Sequence, residues 1–457
     1  MYETLQYAAH NRSAYLAELF DLLRIPSIST QPEHDPDTAD AARWLSEAMS
    51  SAGIENVQLI ETSRHPLIYG DWLHAGPTAP AVLIYGHYDV QPADPLNLWT
   101  TPPFEPTVRE DYIYARGAAD DKGQLYIHIK AVEAYLKSAG RLPVNVKFII
   151  EGEEEISGES LRAFIPRNRD LLAADSALIS DSAMLSPGKP ALVYGLRGNC
   201  HILIDITGPG RDLHSGTYGG GINNPLNALG HLIARLKDER GHILIPGFHD
   251  RVRPLSLDER ELLATFPLDE DAWLREAGAP VLWGEPEYTL VERISARPTL
   301  DVTGMYGGYI GEGTKTVLPA HAHAKISMRL VPDQEPAEIV TLFEQFVRSV
   351  LPPSVQATIR VAGASRPALI RRDTLPMRAA AQAYEETFGH PAVFMREGGS
   401  IPVVNQFDRD LNLPTVLMGF GLPGDHIHSP NERFYLPNFY NGIDTVIRYL
   451  DRLARPL

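Results

Sequence analysis

Tyr85-Gly86-His87-Tyr88-Asp89-Val90 is the stretch whose reading decides the fold. It follows the apolar run Ala81-Val82-Leu83-Ile84, which reads as a parallel strand covered on both faces, since no polar residue interrupts it. Gly86 is expected to let the backbone turn. His87 then emerges at the carboxyl end of a strand, the edge where open α/β sheets hold their ligands. Asp89 is placed to hydrogen-bond the far ring nitrogen of a metal-bound imidazole. A histidine after a strand is by itself more often structural, so the weight falls on the flanking chain.

Upstream, Leu16, Leu19, Phe20 and Leu23 share a helical face over 13–24, and Pro26 ends that helix. A second helix is expected over 38–52, carrying Ala41, Trp44, Leu45 and Met49 and stopping near Gly53. Downstream, 94–106 is rich in proline and aromatics and reads as an ordered loop packed by Trp99 and Phe104. Next, Ala115-Arg116-Gly117-Ala118-Ala119-Asp120-Asp121-Lys122-Gly123 runs into a helix with Ile127, Ala131, Ala134 and Tyr135 on one face. An N-cap accounts for one aspartate of the Asp120-Asp121 pair but not for both.

The strand from Val144 to Ile150 ends in Glu151-Gly152-Glu153-Glu154-Glu155, four glutamates in five residues. Their mutual repulsion is tolerable directly off a buried strand if cations neutralise it. A further strand, Ala177-Leu178-Ile179, ends in Ser180-Asp181. Three apolar strands therefore finish in potential metal ligands along one edge of a sheet.

Beyond residue 196 the pattern changes. Residues 197–207 and 320–330 alternate apolar and polar, as half-exposed strands do, and 335–350 is an amphipathic helix through Ile339, Leu342, Phe343, Phe346 and Val347. This points to a small antiparallel α+β domain, inserted at 197–367. The βα pattern returns from 368, with a helix at 374–388, a strand at 391–395 and the apolar strand Pro414-Thr415-Val416-Leu417-Met418-Gly419. Gly424-Asp425-His426-Ile427-His428-Ser429-Pro430-Asn431-Glu432 follows. The expected fold class is α/β: a mostly parallel sheet with helices on both faces, formed by 1–196 and 368–457 and interrupted by the insertion.

The chain has 457 residues, too many for one typical core, and its 44% hydrophobic and 22% charged content is that of a globular protein. A net charge of −17 argues against nucleic acid or an anionic membrane as partner. The single cysteine, Cys200, shares a strand face with Ile202, Ile204 and Ile206 and reads as a buried, inert thiol. No basic leader and no apolar run of membrane-spanning length is apparent, so a cytoplasmic location is expected.

The candidate ligands are His87, Asp120, a glutamate of the 151–155 cluster, Asp181 and a histidine of the 426–428 pair. Imidazole and carboxylate without thiolate suit zinc, or manganese or cobalt. Five such ligands exceed the need of one four-coordinate ion and suffice for two if one carboxylate bridges. A free glutamate beside them would act as a general base.

Gly-His-Tyr-Asp-Val at 86–90, the Ala115–Gly123 run, Glu-Gly-Glu-Glu-Glu at 151–155, Asp-Leu-His-Ser-Gly at 212–216 and His-Ser-Pro-Asn-Glu at 428–432 resemble the di-zinc exopeptidase family of carnosinases, aminoacylases, carboxypeptidase G and succinyl-diaminopimelate desuccinylase. The likeness runs through the whole chain in order. Tyr194-Gly195-Leu196-Arg197-Gly198 and the run from Arg396 to Pro402 bring it nearest the cytosolic non-specific dipeptidases.

The resemblance implies a dipeptidase that uses a metal-activated water, the rival being an N-acyl-amino-acid deacylase with the same centre. It implies that His87 and Asp181 bind one ion, that Glu155 and His428 bind the other, and that Asp120 bridges them. Glu154 would be the general base and Asp89 the partner of His87; Glu153 and His426 receive no role. The peptide matching Asp120-Asp121 is cis in the family. Asp181 fits the dipeptidase and aminopeptidase branches, where aspartate rather than glutamate is usual. The insertion would be a lid that also forms a homodimer, its His214 stabilising the oxyanion in the partner's site. Arg329, Thr316 and Ser400 would hold the substrate. Read from the residues alone, Arg329 could equally be a surface ion pair and His214 a turn residue.

Overall fold

The computed structural model describes residues 1–399 and 401–455. The chain divides into two compact units: Met1–Tyr194 with Ile370–Met395 and Val403–Leu457, and Gly195–Leu369 with Arg396–Pro402. The insertion expected at 197–367 thus lies within the second unit, which also includes the short return Arg396–Pro402.

The first unit is built on a sheet in which Glu55–Ile60, Leu67–Trp72, Asn145–Glu151, Ala81–His87, Ser176–Ile179, Thr415–Leu417 and Ala191–Leu196 lie side by side. The four inner neighbours, from Asn145–Glu151 to Thr415–Leu417, run parallel. The strands outside them pair antiparallel. Parallel pairing brings the carboxyl ends together, with His87 opposite Glu151 and Tyr85 opposite Ile179.

Alternate residues of the inner strands face opposite helical layers, as the pleat requires. Val82, Ile84, Val146, Phe148 and Ile150 join the core formed with helices Lys122–Ala139 and Leu436–Leu453. On the other face Tyr85 packs edge-on against Phe407, and Lys147 Nζ donates to the carbonyls of Leu171 and Ala173. Both faces are covered, and the α/β class expected from the apolar runs holds.

Gly86 does not turn the chain: it lies inside the strand Ala81–His87. A Cβ there would stand 2.8 Å from Leu125 Cδ1 and 3.0 Å from Asp121 Oδ2, so the glycine lets the helix Lys122–Ala139 approach the ligand-bearing strand. The helix Asp35–Ala52 ends on Gly53 at φ 97°, as its sequence suggests. The helix Tyr2–His10, ahead of Arg12–Leu23, was not anticipated; its apolar face is too short to stand out from the polar residues around it.

The second unit holds a four-stranded antiparallel sheet in the order Thr299–Gly307, His321–Leu330, Gly198–Thr207, Gln356–Ser365. Cys200, Ile202, Ile204 and Ile206 face the same core as Ala322, Ala324, Ile326 and Met328. Helices Pro225–Ala234 and Pro336–Val350 close that core with Leu229, Leu232, Phe343 and Val347. Each fully buried isoleucine contributes roughly 1.5–3 kcal/mol. Cys200 is buried and free, as expected.

Candidate active site

The site lies at the carboxyl ends of the inner strands of the first unit. His87 ends one strand and is fully buried. Glu154 and Glu155 follow Asn145–Glu151 on a short 3-10 turn. Asp181 lies two residues beyond Ser176–Ile179. Asp120 precedes the helix Lys122–Ala139, and the Asp120–Asp121 peptide is cis. His428 comes from the loop ahead of the strand Arg433–Tyr435.

Among the described residues two groups place their donor atoms within 4.8 Å of one another: His87, Asp120 and Asp181, and Asp120, Glu155 and His428. Asp120 belongs to both. Its Oδ1 is 3.1 Å from His87 Nε2, and its Oδ2 is 2.8 Å from His428 Nε2. His428 Nε2 is also 3.4 Å from Glu155 Oε1.

These groups fit divalent cations. Despite their mutual distances, His87 Nε2 and Glu155 Oε1 are buried atoms that make no hydrogen bond of acceptable geometry among the described residues. Donors converging on a common centre, rather than on each other, have that arrangement. The set contains only imidazole and carboxylate, a hard-to-borderline choice suited to zinc, manganese or cobalt.

The electrostatics agree. Burial pushes Asp181 up to about 7, helped by Asp120. Burial also raises Glu154 well above the usual carboxylate range, opposed by His87 and reinforced by Asp181, Glu155 and Asp120. Burial alone would lower His87, but Asp120 and Asp89 raise it well above an ordinary imidazole. The hydrogen bond to Asp120 and the nearby Glu155 carboxylate lift His428 to about 10. Asp120 is held below the carboxylate range by His428 and His87, against its own burial. Two carboxyls, Asp181 and Glu154, pushed up in one buried acidic cluster mark a centre short of positive charge.

Asp89 does more than the sequence suggests, and does it differently. His87 Nδ1 is 3.1 Å from the carbonyl oxygen of Asp89 and 3.4 Å from its carboxylate. That carboxylate accepts from Ser29 Oγ at 2.7 Å and from the backbone N–H groups of Glu154 at 3.2 Å and Glu155 at 3.1 Å. It fixes the glutamate turn as well as facing the imidazole.

Three supporting residues were not singled out from the sequence. Asp121 accepts from the backbone N–H of His87 at 3.2 Å. Gln91 Nε2 donates to Glu155 Oε2 at 2.7 Å. Glu153 anchors the turn by accepting from His65 N at 3.0 Å, Ser160 N at 3.1 Å and Ser160 Oγ at 2.5 Å. For Asp121 the signal was the second aspartate of an unexplained pair. Glu153 stood in the glutamate cluster but was given no role, and for Gln91 no local pattern exists.

His214, Thr316 and Arg329 belong to the second unit. His214 pairs with Val317 across a two-stranded ladder, and its Nδ1 accepts from Gly216 N at 3.0 Å. The carbonyl of Thr316 accepts from Ser215 N, which brings Thr316 beside the His214 turn. Arg329 lies opposite Asn199 and Thr299 on the polar face of the sheet and forms no ion pair with another described residue. Nearby Arg197 is pulled down to about 10, by burial and then by Arg329. Ser400 lies outside the described residues.

Residues 83–452 match Peptidase family M20/M25/M40, and the chain belongs to that family. Among curated relatives, the Cys-Gly metallodipeptidase dug1 of Schizosaccharomyces pombe is 32% identical over 461 residues, covering 97% of this chain and 96% of that protein. The Beta-Ala-His dipeptidase of Homo sapiens is 30% identical over 469 residues, covering 99% and 92%. Among solved structures, the M20 family metallo-carboxypeptidase Sso-CP2 from Sulfolobus solfataricus superposes with a TM-score of 0.85 at 31% identity, covering 96% of this chain and 99% of that one.

Proposed function

We propose that this protein is a di-metal dipeptidase that hydrolyses the peptide bond of dipeptides and short peptides. The observation that carries the proposal is the pair of donor groups meeting at Asp120, with Glu154 on the same strand end. Membership of a peptidase family whose similar members include two dipeptidases supports it.

His87, Asp120 and Asp181 would hold one ion, and Asp120, Glu155 and His428 the other; zinc is the expected metal, with manganese or cobalt as substitutes. When bound, the ions polarise the peptide carbonyl and bring the pKa of a water from about 15.7 toward about 7. Glu154 takes the water's proton on its carboxylate and later delivers it to the leaving amine. Its raised pKa suits both halves of that task. Asp89 keeps Glu154 and Glu155 in place through their backbone N–H groups.

The second unit acts as lid and dimerisation domain of a cytoplasmic homodimer. His214 supplies an N–H to the oxyanion in the partner's site. Arg329 and Thr316, with Ser400, receive the terminal carboxylate of the substrate. No helix among the described residues is long and apolar enough to cross a membrane.

The test is a panel of dipeptides, longer peptides and N-acetyl amino acids, assayed with zinc, manganese and cobalt. Preferential turnover of dipeptides is expected. Turnover of N-acetyl amino acids without dipeptide cleavage would replace this reading by that of a deacylase.

A further inference from the structure

Arg116 and Glu432 take no part in the chemistry just proposed, although both lie in runs beside the ligands. Glu432 is fully buried and Arg116 nearly so. Glu432 Oε2 accepts from Arg116 Nη1 at 2.6 Å and from Gly117 N at 3.0 Å. Its Oε1 accepts from Ala119 N at 3.0 Å and from Asp120 N at 3.2 Å. The Glu432 carbonyl accepts from Ala115 N at 3.2 Å. Arg116 extends the contact through Nη2, which donates to the carbonyl of Pro92 at 3.0 Å. One ion pair therefore joins the chain leaving His87, the loop that delivers Asp120 and the loop that carries His428.

The His428 loop needs such a hold. His426, His428 and Asn431 have φ of 56°, 57° and 63°, a left-handed conformation that a side chain disfavours and that persists only where surroundings impose it. The His428 side chain is 52% exposed, so its position depends on its backbone more than on packing around the ring. His87 and Asp181, in contrast, are set by two strands that pair directly in the sheet.

We propose that Glu432, clasped by Arg116, is a positioning residue that sets the separation of Asp120 and His428. It thereby governs affinity for the cation of the Asp120–Glu155–His428 group more than for that of the His87–Asp120–Asp181 group. This role rests on the metal-binding reading above. Glutamine at 432 would keep the shape but turn an amide N–H₂ toward N–H donors that now meet a carboxylate oxygen.

The experiment is a zinc titration of the metal-free protein by calorimetry, run beside Glu432→Gln, Arg116→Lys and His428→Ala. The parent is expected to bind two ions per chain. Glu432→Gln should weaken the Asp120–Glu155–His428 site by about 10–100-fold, the usual cost of losing a group that orients a ligand, and the other site, which shares Asp120, by clearly less. Arg116→Lys should weaken the same site less. Adding Glu432→Gln to His428→Ala should cost the remaining site less than Glu432→Gln alone costs the Asp120–Glu155–His428 site. A parent that binds fewer than two ions would undo the metal reading itself. A parent that binds two, with variants that match it, would overturn the positioning role. Equal weakening of both sites, with a lower melting temperature of the metal-free chain, would make Glu432 merely structural and overturn the role as well. If Glu432→Gln does not fold, Arg116→Lys is judged by the same outcomes.

Discussion

The two sheets of this chain are made of similar strands with opposite exposure. In the first unit Leu67–Trp72 is buried at every position, and Ala81–His87 at all but its first. In the second, Gly198–Thr207 alternates buried and half-buried residues from end to end. A strand covered on both faces has no side chain to spare along its length, so its chemistry sits at its end. A strand with one open face offers every second side chain, and His201 and Arg329 are such positions. On the proposed reading the first sheet concentrates function at one edge, while the second offers a half-open polar surface over a buried core.

If that division holds, substitutions at the edge of the first sheet should destroy activity. Asp120→Ala should have the largest effect, reducing turnover to background and depleting both ions, because Asp120 belongs to both donor groups. Elemental analysis that still finds two metals per chain would exclude the shared role. Glu154→Gln should cost about 10²–10⁴-fold in kcat, the usual worth of a general acid–base group, with both ions retained. Loss of an ion in that variant would mean that Glu154 and Glu155 exchange roles.

The second unit's contribution is tested between chains. His214→Ala should lose about 10²–10³-fold in kcat, the effect of removing one oxyanion donor. Mixing it with Glu154→Gln should restore activity, since one site of the mixed dimer then has both residues intact. No recovery after verified subunit exchange would mean that His214 serves its own chain or none.

Acidity separates the units more gently. Burial, and then Asp120, push Asp181 up to about 7 in the folded chain from 3.8, so between these values the folded state keeps a proton that the unfolded state loses. Stability then falls as pH rises. His428, raised from 6.5 to about 10, acts in the same direction over the higher window. The melting temperature of the metal-free protein should therefore decline from about pH 5 to about pH 9, and the gain on adding zinc should grow with pH, because binding displaces protons. A flat profile would show that these groups do not crowd one another in solution. The smallest effect belongs to the second core. Ile204→Val should cost about 0.5–1.5 kcal/mol in denaturant unfolding and leave metal content unchanged; altered metal stoichiometry would break the division.

The edge of the first sheet was legible because three of the candidate ligand positions end apolar runs: His87 after Ala81–Ile84, the glutamates after Val144–Ile150, Asp181 after Ala177–Ile179. The alternation at 197–207 and 320–330 likewise revealed the second sheet, whose strands are Gly198–Thr207 and His321–Leu330. What stayed hidden was support that acts through backbone amides. Glu432 grips residues more than 300 positions away, and neither partner carries a local pattern that announces the other. The antiparallel flanks of the first sheet were equally silent. Leu67–Trp72 is as buried as its parallel neighbours, and burial fixes composition rather than strand direction.

The insertion also enters and leaves the fold in a telling way. Gly195 pairs with Leu369 and Leu196 with Ala368 in antiparallel register, and Ile370 N donates to Tyr194 O at 2.7 Å. The junctions at 194/195 and 369/370 are therefore adjacent rungs of one ladder, about 5 Å apart. A tight reverse turn is enough to bridge that gap. An engineer could delete the intervening segment and rejoin the chain with Asn-Gly, leaving every proposed metal ligand in sequence order. In the opposite direction, the same junction is a socket: any domain whose ends lie side by side could be spliced there without rerouting a strand.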